Sequence, residues 1–192
     1  LMRLVINHPA LTLDFVYSST RPGTPISDTH QDLLGQVELA FTDQVNAEVD
    51  VLFLCLGHGN SSAFLEQHTF SNSTLIIDLS NDFRLNKDAQ FGGREFIYGL
   101  PEINRGAIEK ATAIANPGCF ATAIQLALLP LANAKKIKAT VHVNAITGST
   151  GAGVGLSATS HFSWRNNNIS WYKPFTHQHL GEIGETLTQA QG

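Results

Sequence analysis

The sequence predicts an α/β fold with a mostly parallel sheet covered by helices. Three observations predict it. Short, near-continuous apolar runs recur at Asp50 to Leu56, Leu75 to Leu79 and Ala111 to Ala115, as expected for strands covered on both faces. Each run ends in a polar loop or turn, and two of these, Gly57 to Ser62 and Asn116 to Cys119, lead straight into a helical pattern. The longest apolar stretch, Ala121 to Ala132, has helix length and follows such a turn. Strands that alternate with helices imply parallel pairing through crossover connections.

Each element follows in order. Leu1 to Ile6 reads as the tail of a helix, ended by Asn7-His8-Pro9. Its start is missing, so the chain is expected to begin part-way through a larger protein. Leu11 to Ser18 is a weakly alternating strand, and Ser19 to Gln31 a polar loop with Pro22, Gly23 and Pro25. Val37 to Phe41 is a short strand. Asp50 to Leu56 is a buried strand that places Cys55 in the core. Asn60-Ser61-Ser62 opens a helix reaching about His68. Leu75 to Leu79 is the next buried strand, followed by the loop Ser80 to Arg84. After the strand Ala111 to Ala115, Asn116 is expected to cap a helix with Pro117 in its first position, running to about Leu129.

The pattern changes near Lys135. Lys138 to Thr147 alternates and predicts a longer, half-exposed strand; the Gly-rich loop Gly148 to Gly153 follows. A polar, aromatic stretch then runs to Trp171-Tyr172, and His177-Gln178-His179 precedes a last helix that stops without a closing element. The expected division is a first domain over residues 1–134 and the beginning of a second over 135–192.

Composition narrows the function. Hydrophobic residues make up 43% and charged residues 15%, which suits a packed core and argues against disorder. The net charge of −4 carries no basic excess, so no nucleic-acid partner is expected. No apolar stretch approaches membrane-span length and no signal-peptide pattern opens the chain. The two cysteines, Cys55 and Cys119, suggest no disulfide framework, and a cytoplasmic location with reduced thiols is the default.

Cys119 carries the chemistry. It falls in the first turn of its helix, where free backbone N–H groups and the helix dipole favour a thiolate. A thiol placed there is a candidate nucleophile; the plainer reading is a small, inert core residue. In parallel sheets, ligands gather at the carboxyl ends of strands. The loops Ser18 to Arg21, Gly57 to Ser62, Ser80 to Arg84 and Asn116 to Cys119 all follow strands and are expected to feed one site. Ser19, Thr20 and Arg21 offer hydroxyls and a cation where a nucleotide ribose would lie, a set suited to a 2′-phosphate; a solvated turn is the alternative. Arg84 can clamp an anion or pair with Asp78 or Asp82. His177 and His179 suit a general acid or base partnered with Cys119. No further Cys or His cluster completes a zinc site around them, so no metal is expected. Gly148 to Gly153 follows a strand of the second region and is not a dinucleotide fingerprint.

With these residues in hand, the chain resembles the N-acetyl-gamma-glutamyl-phosphate reductases, within the wider aspartate-semialdehyde dehydrogenase-like superfamily. The resemblance rests on Ile77-Asp78-Leu79-Ser80-Asn81-Asp82-Phe83-Arg84-Leu85, Tyr98-Gly99-Leu100-Pro101-Glu102, Ala115-Asn116-Pro117-Gly118-Cys119-Phe120-Ala121-Thr122, Gly148 to Gly153 and His177-Gln178-His179. It implies a Rossmann-like domain followed by an α+β catalytic and dimerisation domain, NADP(H) as cofactor, a small acyl-phosphate substrate and a homo-oligomer. It further implies catalytic roles for Cys119, His177, His179 and Asn116, and substrate or phosphate contacts from Arg84 and Glu182. Ser19, Thr20, Arg21, Gly57, His58, Gly59, Gly151 and Gly153 match its cofactor loops. The family's first strand and Gly-rich pyrophosphate loop would precede Leu1, and Gly181 stands where the family usually carries Pro.

Two other classes stay open on the residues alone: a cofactor-free Cys/His hydrolase or acyltransferase, and a non-catalytic α/β binding module. The Ser19 loop separates the reductase from the hydrolase, which has no use for a 2′-phosphate site. The reactivity of Cys119 relative to Cys55 separates both enzymes from the binding module.

Overall fold

The computed structural model describes residues 1–153 and 155–192. Its centre is a four-stranded, all-parallel sheet made of β3 (Val51–Leu54), β4 (Leu75–Asp78), β7 (Ile97–Tyr98) and β8 (Ala113–Ala115), in the order β3-β4-β8-β7. The expected α/β class with parallel strands therefore holds. A separate parallel pair joins β1 (Val16–Tyr17) to β2 (Phe41–Thr42). A short antiparallel hairpin joins β5 (Gln90–Phe91) to β6 (Arg94–Glu95). Gly92 and Gly93, with φ of 59° and 76°, make its two-residue turn, which needs positive φ at both positions.

The helices are α1 (Met2–Ile6), α2 (Ile26–Thr29), α3 (Ser61–Gln67), α4 (Pro101–Ile108), α5 (Cys119–Asn133), α6 (Phe162–Arg165) and α7 (His179–Gln191). Proline opens α4 at a position where no intrahelical N–H bond is lost.

Successive strand residues point to opposite faces. Leu52 and Leu54, paired with Ile76 and Asp78, and in turn with Ala113 and Ala115, form one fully buried face. Val51, Phe53, Leu75, Ile77 and Ile114 form the other, which is only half-buried, so these strands are not covered equally on both sides as expected. Phe64, Phe70, Phe83 and Phe96 complete the core against the buried face. Phe83 and Phe96 stack with centroids 4.0 Å apart. Tyr17 meets Phe64 edge-on at 5.3 Å and so ties the β1–β2 pair to the core.

Several expectations are corrected. The strand predicted over 138–147 does not form; these residues are exposed and irregular. Alternation produces a strand only where a neighbour supplies ladder partners, and no described residue does so here. The strands expected at Leu11 to Ser18 and Val37 to Phe41 shrink to β1 and β2, because only those residues pair. Cys55 lies just past β3 and is exposed, not in the core. Enough protein still lies around its sulfur that desolvation holds the thiol above its ordinary pKa, with Asp78 adding to the effect. Helix α5 continues through Pro130, which costs one N–H bond in the last turn, because Leu129 and Ala132 stay buried.

Replacing Phe83 by Ala removes the centre of the aromatic stack. The expected cost is about 3–5 kcal/mol, read from the urea midpoint, with no change in the helical signal of the folded state.

Candidate active site

The site is built where α5 starts. Asn116 was expected to cap this helix, but the cap residue is Gly118, with extended backbone, and Cys119 is the first helical residue. The Asn116 side chain instead donates to its neighbour's carbonyl, Pro117 O, at 3.2 Å. Its place one turn before the helix is set by β8, whose register carries Asn116 N–H onto Asp78 O at 2.8 Å. The Cys119 residue is exposed and its thiol is free.

Helices α5 and α7 pack against each other. The buried stripe of α5 is Ala121, Gln125, Leu129 and Ala132; that of α7 is His179, Glu182, Ile183 and Thr186. Both spacings are those of one helix face. Each stripe carries polar side chains inside an otherwise apolar contact, and these find one another.

Glu182 is the hub. Its Oε1 accepts from Arg84 Nη1 at 3.1 Å, and its Oε2 from the Tyr98 hydroxyl at 2.6 Å and from Gly118 N–H at 3.2 Å. Side-chain exposure is 5% for Arg84 and 3% for Glu182, so the pair is withdrawn from water. Arg84 also donates through Nε to Asn116 O at 2.8 Å and through Nη2 to Leu79 O at 3.1 Å. It pairs with Glu182, not with Asp78 or Asp82. The two charges thus grip the Cys119 turn from both sides: Arg84 by a carbonyl, Glu182 by an amide.

Tyr98 is fixed in turn by Gln125, whose Nε2 donates to its hydroxyl at 3.0 Å. Burial, reinforced by the Glu182 carboxylate, pushes the Tyr98 hydroxyl far above its ordinary pKa and keeps it a donor. Neither Tyr98 nor Gln125 stood out in the sequence as a site residue. The available signal was Gln125, a polar interruption at a core position of an apolar helix.

The two histidines sit at the mouth of the α5 turn. The His179 ring lies so close to Gly118 that a Cβ there would collide with the imidazole. Only glycine admits this approach. His177 meets the Phe120 ring edge-on at 5.4 Å and His179 at 4.4 Å. Its Nδ1 accepts the His179 backbone N–H at 3.1 Å. His179 Nδ1 is buried without a hydrogen-bond partner among the described residues, and His179 Nε2 lies 3.9 Å from Glu182 Oε1, beyond hydrogen-bond range.

Burial lowers the His179 pKa below the ordinary 6.5; Glu182 opposes this, while His177, Arg84 and His58 add to it. Burial also lowers that of His177, with Lys173 adding and Glu182 opposing.

The loops predicted to converge do so in part. Asp82 accepts from Gly59 N at 2.7 Å, Ser61 N at 3.0 Å and Ser62 N at 3.3 Å, so it caps α3 in place of the Asn60 side chain, which donates back to Leu56 O. Buried Asp78 accepts from Ser61 Oγ and Ser80 Oγ, both at 2.6 Å. His58 Nδ1 accepts from Asn81 N at 3.1 Å. These bonds join Gly57 to Ser62 with Ser80 to Arg84, and Arg84 joins both to the Cys119 turn. An open cavity of about 700 Å³ lies along the first two loops, lined by His58, Gly59, Asn81, Asp82 and Lys87 among others.

The Ser19 loop is tied elsewhere: Ser18 N–H donates to Thr42 O at 2.8 Å, and Arg21 Nη1 to Thr29 Oγ1 at 3.0 Å. Ser19, Thr20 and Arg21 are exposed, and the loop carries no acidic residue. That donor set fits a phosphate on a nucleotide ribose. Gly151 and Gly153 N–H groups donate within their own loop, to Gly148 O and Thr150 O.

Comparison with known proteins gives the family. Residues 1–111 match the family model "Semialdehyde dehydrogenase, NAD binding domain", and residues 119–192 match "Semialdehyde dehydrogenase, dimerisation domain". The chain is 62% identical over 191 residues to an N-acetyl-gamma-glutamyl-phosphate reductase of Flavobacterium johnsoniae, covering 100% of this chain and 59% of the relative. It is 53% identical to that of Christiangramia forsetii over 100% of this chain and 58% of the relative. For the same enzyme of Azobacteroides pseudotrichonymphae the identity is 57%, over 97% of this chain and 58% of the relative. The chain thus spans about three-fifths of the length of these curated relatives.

Two outcomes are expected. Glu182→Ala leaves a buried guanidinium without its counter-charge and lowers stability by about 3–5 kcal/mol in urea unfolding. Because the folded chain holds the His177 and His179 protons less tightly than the unfolded chain, their contribution to stability is complete above pH 6.5 and falls as pH drops below it. Urea midpoints measured across that window should decline toward acid, and less steeply in His179→Gln.

Proposed function

The chain belongs to the semialdehyde dehydrogenase family, and on that premise we propose that the protein is an NADPH-dependent reductase of N-acetyl-gamma-glutamyl phosphate. The products are N-acetylglutamate 5-semialdehyde and phosphate, a step of arginine biosynthesis. One observation carries the reading: an exposed thiol at the head of the 15-residue helix α5, with His179, which opens α7, and His177 just before it packed on that turn.

The chain's own residues divide the work as follows. The Cys119 sulfur attacks the acyl carbon; a C–S bond forms, the C–O bond to phosphate breaks, and phosphate leaves. His179, whose ring lies against the Gly118 backbone at the head of α5, takes the thiol proton. His177 acts differently. Its Nδ1 accepts a backbone N–H, so the neutral ring carries its proton on Nε2 and serves as a donor to the reacting oxygen. Reduced nicotinamide, when bound, supplies the hydride that turns the thioester into an aldehyde. Ser19, Thr20 and Arg21 would hold the 2′-phosphate of that cofactor, and Gly57, His58 and Gly59, with Gly151 and Gly153, would line its nicotinamide side. Return of the His179 proton to sulfur restores the thiol as the aldehyde leaves.

Arg84 and Glu182 have their hydrogen-bonding capacity turned on the protein. We assign them to holding the Asn116–Gly118 turn rather than to gripping the leaving phosphate. Asn116 contributes through its backbone carbonyl. Residues 136–147, after α5, have no regular structure, which supports a domain boundary near Lys135. Homo-oligomerisation through the second region is part of the same reading.

Cys119→Ser is expected to abolish NADPH oxidation dependent on N-acetyl-gamma-glutamyl phosphate, followed at 340 nm as a loss of about a thousandfold or more. Turnover retained in that variant would sink the thioester route.

A further inference from the structure

We propose that Tyr98 is a positioning residue: its hydroxyl, fixed by Gln125, holds the Glu182 carboxylate against Gly118 and Arg84 and off the His179 ring, and so keeps that ring a neutral proton acceptor. The second half rests on the role given to His179 above; the first half stands on geometry alone.

Glu182 and His179 lie three residues apart on α7, one turn, where a carboxylate and an imidazole ordinarily meet. Here they do not. The approach stops at 3.9 Å, although both side chains are buried and water cannot screen their attraction. The carboxylate is held by donors on its other sides. Arg84 Nη1 takes Oε1 at 3.1 Å; Gly118 N–H reaches Oε2 at 3.2 Å; the Tyr98 hydroxyl takes the same Oε2 at 2.6 Å. The last is the shortest and, as a charge-assisted O–H···O bond, the strongest of the side-chain holds short of the ion pair itself. A small rotation of the Glu182 side chain would close the gap to His179, and Tyr98 opposes it.

The other charged or titratable groups facing His179 are His177 before α7, Arg84 after β4 and His58 after β3. All three disfavour a positive charge on the ring. Burial lowers the ring's proton affinity most, and of the facing groups Glu182 alone raises it, so the position of this one carboxylate tunes the protonation state. A ring that is to accept the thiol proton must begin unprotonated.

Tyr98→Phe removes the hydroxyl and keeps the ring. In the holo-protein with 15N-labelled histidine, the His179 titration midpoint in Tyr98→Phe is expected to rise by about one pH unit, a tenfold change in proton affinity. Gln125→Met, which removes the donor fixing Tyr98, shifts it the same way by less. An unchanged or lowered midpoint in Tyr98→Phe that folds normally by circular dichroism overturns the proposal. Should that variant not fold, an unshifted midpoint in folded Gln125→Met does so. The acid limb of kcat/KM is read in parallel. A limb that moves with the midpoint supports both halves; a midpoint that moves while the limb stays retires His179 as the proton acceptor and leaves the positioning of Glu182 standing.

Discussion

The contact on which the site depends is the buried ion pair between Arg84 and Glu182. Arg84 follows β4, and Glu182 lies in the first turn of α7. Ninety-eight residues separate them, yet the bond between them closes around a third element, the turn before Cys119. A buried pair of this kind is weak evidence for net stability, because desolvating two charges offsets most of their attraction. Its value here is geometric. A guanidinium holding Asn116 O and a carboxylate holding Gly118 N–H leave that turn one arrangement. The head of α5, and with it the thiol, is placed by charges that face away from solvent.

The rest of the site reads as a consequence. Because Glu182 must reach Gly118, α7 begins against the head of α5, and its first residue, His179, lands on the Gly118 backbone. Because Gly118 has no Cβ, the ring can lie there. Because His179 N–H donates to His177 Nδ1, the second histidine is fixed by the first. Tyr98 and Gln125 close a ring of hydrogen bonds from α5 through β7 to α7 and back to the start of α5. The acidic groups elsewhere play similar parts. Asp78 and Asp82 are turned on hydroxyls and amides of the neighbouring loops, which fixes Gly57 to Ser62 beside the open cavity. Most charges at the carboxyl end of this sheet hold backbone in place.

Much of this was legible in the residues. The apolar runs at Asp50 to Leu56, Leu75 to Leu79 and Ala111 to Ala115 became the three longest strands of the sheet, since burial on the sheet needs side chains of that kind whatever surrounds them. Cys119 at the head of a helix followed from a proline-glycine turn before an apolar stretch. What failed were readings that need a neighbour. The alternation over 138–147 has no described strand beside it. Asn116 looked like a cap, yet Gly118 holds that position because Glu182 draws its amide inward. Cys55 looked like core, yet β3 ends one residue before it. The hairpin β5–β6 and strand β7 were invisible at two residues each; they exist because neighbouring strands pair with them.

By itself, then, the sequence determined the α/β class, the order of the long strands and helices, the thiol at the start of α5 and the pair of histidines. These depend on hydrophobic pattern and on local backbone chemistry, and both are written within a few consecutive residues. Only the tertiary structure decided who meets whom. Arg84 chose Glu182 over the nearer Asp78 and Asp82, and Gln125 and Tyr98 emerged as the support of Glu182. That choice rests on burial: where water is excluded each polar group must find a protein partner, and the partner is set by packing of distant segments rather than by spacing along the chain.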